Sequence, residues 1–139
     1  MKKILVLCTG NSCRSQMAEG YLQFFAKNKA VIYSAGIEAH GVNLWAIKVM
    51  KEDGIDISHQ TCNTIDEYMS IPFDFIITVC DNANEKCPIF PATAQKIHCN
   101  FPDPSKTIGT EQEIMNQFRN VRNMIKEYCN KFVEKNIKA

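Results

Sequence analysis

In the segment ILVLCTGNSCRSQMAEG, residues 4–20, a short apolar run leads through a polar loop into a helical pattern. The run Ile4–Leu7 is uninterrupted and partly β-branched, which is typical of a strand buried on both faces. From Ser15 onward, apolar side chains recur every three or four residues, as in an amphipathic helix. We therefore expect residues 8–15 to lie at the carboxyl end of a strand, where α/β proteins bind their ligands.

The rest of the chain repeats this alternation of strand and helix patterns. Because strands that alternate with helices favour a parallel sheet, we predict an α/β fold with helices on both faces of the sheet. Residues 1–139 are enough for one domain, and no linker or internal repeat divides them. The predicted strands are Ile4–Leu7, Ala30–Tyr33, Phe75–Val79 and Lys96–Cys99, and the predicted helices are Ser15–Lys27, Leu44–Asp53 and Glu111–Glu134.

The composition excludes several classes of function. Sixteen basic and fifteen acidic side chains leave a net charge of +1, without the basic patch of a nucleic-acid or membrane-surface protein. The apolar run after the opening MKK is shorter than the ~7 to 15 residues of a signal peptide, and no stretch is long enough to span a bilayer. We expect a cytoplasmic protein, in which the seven cysteines are catalytic, redox-active, metal-binding or buried rather than a disulfide framework.

The loop between Cys8 and Arg14 has the composition of an anion-binding site. Its small residues allow successive N–H groups to converge, the following helix adds a partial positive charge, and Arg14 can hold two oxygens of a tetrahedral oxyanion. The same donors should lower the pKa of Cys8, with Ser15 donating a hydrogen bond to the thiolate. The alternative is a Cys8 that only ends a buried strand. The predicted oxyanion-binding residues are Thr9, Gly10, Asn11, Ser12, Cys13 and Arg14, with Cys13 also a packing residue.

Two further segments contain candidate functional residues. The sequence of these segments leaves the roles of the candidates open. In NFPDPS, residues 100–105, two prolines hold Asp103 on a rigid loop, where it is either a plain turn residue or a general acid. In TVCDNANEKCPIFP, residues 78–91, Cys80 ends a strand at the same edge as Cys8, and Cys87 follows seven residues later. These two cysteines could be core residues, zinc ligands together with His98 and Cys99, or a redox pair.

Two motifs resemble a known family. CTGNSCRSQMAEG, residues 8–20, resembles the phosphate-binding loop of the low-molecular-weight protein tyrosine phosphatase superfamily, and YSAGIEAHGVN, residues 33–43, resembles the corresponding segment of its thioredoxin-coupled arsenate reductases. The likeness covers nearly the whole chain and implies a four-stranded parallel sheet with helices on both sides. It also implies that Asp103 is the general acid and that Cys80 and Cys87 are a redox pair.

The resemblance implies a complete reaction. Cys8 attacks arsenate and Asp103 protonates the departing oxygen; Cys80 then attacks Cys8 and releases arsenite, and Cys87 attacks Cys80, so that thioredoxin can reduce the Cys80–Cys87 disulfide. No tightly bound cofactor is needed, phosphate and sulfate should compete with arsenate, and we expect a monomer. If residues 81–87 are helical, the two cysteines lie about 10 Å apart, and residues 80–91 must unwind to bring their Cα atoms within roughly 4.4–6.8 Å.

The resemblance further implies a monovalent-cation site, with potassium as the expected ion. Its ligands would be Asn11, Glu19 and Ser34 with an acidic residue near position 63, where this chain has Asn63. Losing that carboxylate should weaken any effect of potassium. The three histidines, His40, His59 and His98, are expected at the surface or as satisfied core residues.

Two other functions remain open from the sequence. A phosphatase acting on phosphotyrosine or a small phosphoester would use the same Cys8, Arg14 and Asp103. Phosphatases of this superfamily have an aromatic residue after the D-P pair, where this chain has Ser105, which disfavours that function. The second alternative is a non-enzymatic module that senses an oxyanion or a metal.

Overall fold

Four parallel strands form the centre of the protein in a computed structural model, which describes residues 1–85, 87 and 93–137. Neighbouring strands pair in the order β2-β1-β3-β4, and every pair is parallel. All four carboxyl ends therefore lie along one edge of the sheet, as predicted. The strands are β1 (Lys2–Cys8), β2 (Ala30–Gly36), β3 (Phe75–Thr78) and β4 (Gln95–His98).

The three long helices lie within two residues of their predicted bounds, and the capping residues at the starts of α2 and α4 are clear in the sequence. Asn43 accepts hydrogen bonds from two N–H groups in the first turn of α2, and Thr110 forms a capping box with Glu113 at the start of α4. The helices are α1 (Arg14–Ala26), α2 (Leu44–Glu52), α3 (Asp81–Glu85) and α4 (Glu111–Asn136), and Ile65–Tyr68 and Pro104–Lys106 form short 3-10 helices.

Helical segments cover both faces of the sheet. Successive side chains of a strand point to opposite faces. On β2, Ser34 donates to Glu19 of α1, whereas its neighbour Tyr33 packs edge-to-face on Tyr68 of the first 3-10 helix. Helix α4 lies on the α1 side, where Phe132 contacts Phe75, and α3 lies on the opposite side. The predicted fold class is confirmed.

One stripe of α4 supplies much of the core. Phe118, Val121 and Ile125 are fully buried, and Cys129 is 1% exposed, which confirms its predicted place in the core. The opposite face of α4 carries exposed charged residues. Within the described ranges, no helix combines the length and the apolar character needed to cross a membrane.

Strand pairing continues beyond the strand ends and brings distant parts of the chain together. The N–H of Val79 donates to the carbonyl of Leu7 at 2.9 Å, and that of Phe101 donates to the carbonyl of Val79 at 3.0 Å. The residues that follow β1, β3 and β4 are therefore neighbours at one edge. Cys8, Cys80 and the segment that carries Asp103 meet there.

Candidate active site

The backbone of the loop between β1 and α1 turns its carbonyl groups away from the cleft at the sheet edge. The N–H of Glu38 donates to the carbonyl of Thr9 at 2.8 Å, and the N–H of His40 donates to that of Gly10 at 3.0 Å. Because these carbonyls point toward residues 37–43, the N–H groups of the loop are left for the cleft. Converging N–H groups of this kind are the geometry that an anion-binding nest requires.

Two residues give the loop this tight shape. Asn11 has a φ of 48°, a left-handed conformation that asparagine tolerates better than most residues. Its side chain accepts a hydrogen bond from the Ser15 hydroxyl at 2.9 Å. Gly36 ends β2 so close to the loop that a Cβ atom would lie 2.7 Å from the Asn11 nitrogen and from the Thr9 oxygen. A larger residue at position 36 would therefore displace the loop.

Arg14 is held at the start of α1 with its buried Nε donor unused. Its Nη1 donates to the carbonyl of Phe101 at 2.9 Å, and its side chain is only 11% exposed. The Nε atom is buried, and within the described part of the chain it has no hydrogen-bond partner. A buried donor without a partner costs free energy, which an oxyanion in the cleft would recover. The guanidinium is thus oriented to bind an anion.

Asp103 lies beside Arg14, a contact that the sequence did not predict. One carboxylate oxygen is 3.6 Å from Nη2 of Arg14, and the other accepts hydrogen bonds from the N–H and the hydroxyl of Ser105 at 3.0 and 2.6 Å. Pro104 begins the short 3-10 helix that follows. The carboxylate is therefore oriented toward the cleft from the side opposite the loop.

Cys80 lies at the same sheet edge as Cys8, and each sulfur acts on the pKa of the other. Two donors reach the Cys80 sulfur: the Thr9 hydroxyl lies 3.2 Å from its Sγ, and the Ala83 N–H in the first turn of α3 lies 3.4 Å from it. Asn82 in turn donates to the Thr9 oxygen at 3.0 Å. These donors favour the thiolate of Cys80.

The charge distribution differs from the sequence prediction. The hydrogen bond from Cys8, together with those from Thr9 and Ala83, lowers the pKa of Cys80 despite its burial. For Cys8, the interaction with Cys80 and burial raise the pKa, although the charge of Arg14 opposes this. The predicted low pKa of Cys8 is therefore wrong for this arrangement. The sequence does not show that the Cys80 sulfur would lie next to the Cys8 sulfur.

The predicted hydrogen bond from Ser15 to Cys8 is also corrected. Ser15 is fully buried, and its single hydroxyl proton is donated to the Asn11 side chain. Ser15 thus shapes the loop instead of stabilising a thiolate. Thr9 provides the hydroxyl donor in its place, and that donor goes to Cys80. Burial raises the pKa of Cys13 to about 12, in agreement with its predicted packing role.

Cys87 follows α3, which ends at Glu85, so residues 81–87 are not helical throughout. The Cys87 thiol is half-buried; burial raises its pKa, and the Lys96 ammonium opposes this. Pro88 and Pro91, which belong to the segment expected to unwind, lie outside the described residues. All seven cysteines are described, and all are thiols.

The cleft over the loop has a volume of about 320 Å³. Sequence reasoning missed His40, which lies beside Gly10 at the rim, with its Nε2 2.7 Å from the Glu38 carboxylate. It also missed Cys62, whose Sγ donates to the Asn11 carbonyl at 3.1 Å. No signal in the sequence marks these contacts, apart from the closeness of His40 to the segment that resembles the family. The cleft is lined by Cys8, Thr9, Gly10, Ser12, Cys13, Arg14, His40, Asn43, Asp103 and Ser105.

We expect the Cys80 thiolate to be visible by absorbance at 240 nm well below the usual thiol pKa of about 8.5. Thr9→Val keeps the shape of the side chain and removes the hydroxyl donor. Since that donor stabilises the charged form, its loss should move the titration to higher pH by about one unit. Thr93→Val, at an exposed turn, is the control. A Thr9→Val titration identical to that of the unmodified protein would contradict the assignment of charge to Cys80.

Comparison with known proteins identifies the family. Residues 3–139 match the family model of low molecular weight phosphotyrosine protein phosphatase, which is nearly the entire chain. The chain belongs to this family. The match agrees with the loop and with the four-stranded parallel sheet described above.

Several of the proteins that are similar to this chain are named arsenate reductases. The arsenate reductase of Halalkalibacterium halodurans is 48% identical over 133 residues, which cover 96% of each chain. A solved arsenate reductase in the phosphate binding state is 32% identical, with a TM-score of 0.76 over 99% of this chain and all of the other. Another in the oxidized state is 33% identical, with a TM-score of 0.80 over 97% of this chain and 98% of the other.

Proposed function

We propose that this protein is an enzyme that reduces arsenate to arsenite by cysteine chemistry. The observation that carries the proposal is the position of a second thiol, Cys80, beside the loop that follows Cys8: the Thr9 hydroxyl of that loop lies 3.2 Å from the Cys80 sulfur, and β1 and β3 end side by side. An enzyme that only hydrolyses phosphoesters needs a single thiol there. The similar proteins support the proposal, because they are named arsenate reductases and one of them is described in an oxidized state.

The first step forms a covalent adduct. Arsenate binds to the N–H groups of residues 9–13 and to the unused donor of Arg14. As Cys8 attacks arsenic, its proton passes along the hydrogen bond to Cys80, which acts as the base. Asp103 protonates the oxygen that leaves, and water departs. The Cys80 proton then goes to solvent, which the donors from Thr9 and Ala83 favour.

The second step transfers two electrons. The Cys80 thiolate attacks the sulfur of Cys8 and forms a Cys8–Cys80 disulfide, while the electron pair of the sulfur–arsenic bond stays on arsenic. Arsenic is thereby reduced and leaves as arsenite. Cys87 next attacks Cys80, which frees Cys8 and leaves a Cys80–Cys87 disulfide. We propose that thioredoxin reduces this disulfide by dithiol exchange.

Recycling requires α3 to unwind, in our proposal. The Cys80 sulfur is fixed beneath the first turn of α3, and Cys87 follows that helix, whose five residues rise about 7.5 Å. A disulfide requires Cα atoms within roughly 4.4–6.8 Å. The helix is short and includes Asn82 and Asn84, which are poor helix formers, so its melting should cost little. Hydrogen exchange of amides 81–85 before and after oxidation tests this step.

The decisive experiment compares the two candidate activities in one preparation. Arsenate-dependent NADPH consumption with thioredoxin and thioredoxin reductase is measured beside the hydrolysis of a chromogenic aryl phosphate. We expect steady arsenate turnover and little phosphate release, since Ser105 provides no aromatic wall for a phenyl ring. Vigorous aryl phosphate hydrolysis without arsenate turnover would establish the phosphatase instead.

Phosphate and sulfate are tetrahedral oxyanions that fit the same cradle of N–H groups. We expect phosphate to raise the apparent KM for arsenate without changing kcat, because it occupies the loop and reversibly excludes the substrate. Initial rates at several fixed phosphate concentrations measure this. A purely noncompetitive pattern would place phosphate outside the loop.

We propose that potassium contributes little to this protein. Ser34 donates to the half-buried carboxylate of Glu19, whereas Asn11 turns its amide nitrogen toward the carbonyls of Ser34 and Asn63. Both carbonyl oxygens already accept a hydrogen bond from Asn11, and the Asn63 side chain donates to Glu67. The residues therefore do not fit the cation site that the resemblance implied. Within the described residues, no group of three or more His, Cys, Asp or Glu side chains could hold a metal ion.

Thermal unfolding tests the cation site. The unfolding temperature should be the same in potassium and sodium chloride at equal ionic strength, because the site lacks free oxygen ligands. Asn63→Asp restores a carboxylate and should introduce a preference for potassium. A potassium-specific stabilisation of the unmodified protein would show that the site binds the ion after all.

We place the reaction in the cytoplasm and in a single polypeptide. Cys8, Cys80 and Cys87 must be thiols at the start of each cycle, which a reducing compartment favours. One chain supplies the loop, the acid and the three thiols, so a monomer is sufficient. Size-exclusion chromatography with light scattering tests the monomer, and subcellular fractionation of the source organism tests the compartment.

A further inference from the structure

Three polar side chains of one strand face α3. Lys96, His98 and Asn100 alternate along β4 and its continuation, so they project from the same face of the sheet. The Asn100 side chain accepts from the Asp81 N–H at 3.1 Å, and the Lys96 ammonium donates to the Asn84 carbonyl at 3.3 Å. We call these three residues the β4 clasp. The clasp reaches both ends of α3.

His98 is the centre of the clasp. Its Nε2 lies 2.8 Å from the Asp81 carboxylate and its Nδ1 lies 2.7 Å from the Thr78 hydroxyl. A carboxylate only accepts hydrogen bonds, so Nε2 carries a hydrogen, and in the neutral ring Nδ1 accepts from Thr78. Thr78 is fully buried and lies opposite His98 in the strand register. The ring is thus fixed to the core on one side and holds α3 on the other.

The contacts between the clasp and α3 depend on the helical form of residues 81–85. The Asp81 N–H is one of the orphan donors of a helix start, and the Asn84 carbonyl is one of the orphan acceptors of a helix end. Both groups move when the helix unwinds. The clasp therefore stabilises the reduced form of the protein and opposes the formation of a bond between Cys80 and Cys87.

We propose that Lys96, His98 and Asn100 are positioning residues for the redox cysteines: by holding α3, they keep Cys80 beside Cys8 until the first disulfide has formed. The proposal rests on the proposed relay. In this proposal, residues of β4 and its continuation hold α3 in place but do not themselves react. Lys96 also lies close enough to Cys87 for its charge to act on that thiol, so the clasp connects the two cysteines that must later meet.

The test measures the redox equilibrium of the complete protein in thiol–disulfide buffers, with mass mapping of the Cys80–Cys87 disulfide. His98→Ala should favour this disulfide roughly fivefold, which is a reduction potential about 20 mV more negative at about 30 mV per tenfold change. His98→Gln, which can still donate to Asp81, should restore most of the original value. His59→Ala, at an exposed histidine, is the control and should change nothing.

Hydrogen exchange of the reduced protein gives a second readout that needs neither arsenate nor a disulfide. Amides 81–85 should lose protection in His98→Ala and in Asp81→Ala, where the replaced side chain is 72% exposed and the fold is not at risk. Unchanged potential and unchanged protection in both variants would overturn the clasp. Failure of arsenate turnover in the unmodified protein would overturn the proposed function and leave these measurements interpretable.

Discussion

Cys80→Ser is expected to lower steady-state arsenate turnover by at least about 10³-fold while the adduct on Cys8 still forms. A serine hydroxyl cannot attack the Cys8 sulfur and form a disulfide, so the electron pair of the sulfur–arsenic bond is not left on arsenic and the reaction should stop before arsenite is released. The hydrogen bond that raises the pKa of Cys8 is also lost, and Arg14 remains to stabilise its thiolate. Intact-protein mass spectrometry after a single mixing with arsenate should detect the adduct.

The other two cysteines should fail at different steps. Cys8→Ser removes the nucleophile and should give no adduct and no arsenite. Cys87→Ser should release about one equivalent of arsenite and stop with a Cys8–Cys80 disulfide, as the order of exchanges requires. Cys99→Ser is the matched control, because Cys99 is also half-buried and has no place in the relay. Sustained turnover by Cys87→Ser with thioredoxin as the only reductant would contradict the three-thiol relay.

The second large effect is expected from Arg14→Lys, which should lower kcat/KM for arsenate by about 10²–10³-fold. A lysine keeps the positive charge but cannot donate to the Phe101 carbonyl and hold two oxygens of the substrate at the same time. Affinity for phosphate should fall in parallel, and isothermal titration measures it. Unchanged phosphate binding would show that the unused Nε donor does not face the anion.

Arg122→Lys provides a matched control for the loss of packing. Arg122 is also largely buried, at 13% exposure, and its Nη1 donates to the Val49 carbonyl at 2.8 Å, but it lies on α4 beside α2. The two variants should lose similar free energies of unfolding, measured by urea denaturation. Only Arg14→Lys should lose activity, so an equal loss in both would mean that the effect is one of stability.

The architecture could be predicted because its signals are local. Apolar runs mark the strands, periodic apolar residues mark α1 and α4, and Asn43 marks the start of α2. The loop residues could be predicted for the same reason, since Cys8 and Arg14 lie within one short stretch between a strand and a helix. Asp103 required the resemblance in addition, because a carboxylate between prolines is also an ordinary turn.

The contacts that decide the chemistry could not be predicted, because they join residues that are far apart in the chain. Thr9 and Cys80 are 71 residues apart, and Arg14 and Phe101 are 87 apart. Only the strand order places them together, and no spacing in the sequence encodes that order. The raised pKa of Cys8 and the role of His98 follow from the same long-range pairing.

The central position of β1 has a consequence for how the protein is made. β1 leaves the ribosome before the other three strands, and its neighbour β3 is synthesised some seventy residues later. Such long-range pairing is slow, because the chain between the strands must be closed before the contacts form. During synthesis, Cys80 therefore keeps the pKa of an ordinary thiol. The donor from Thr9 reaches its sulfur only when β1 and β3 have paired.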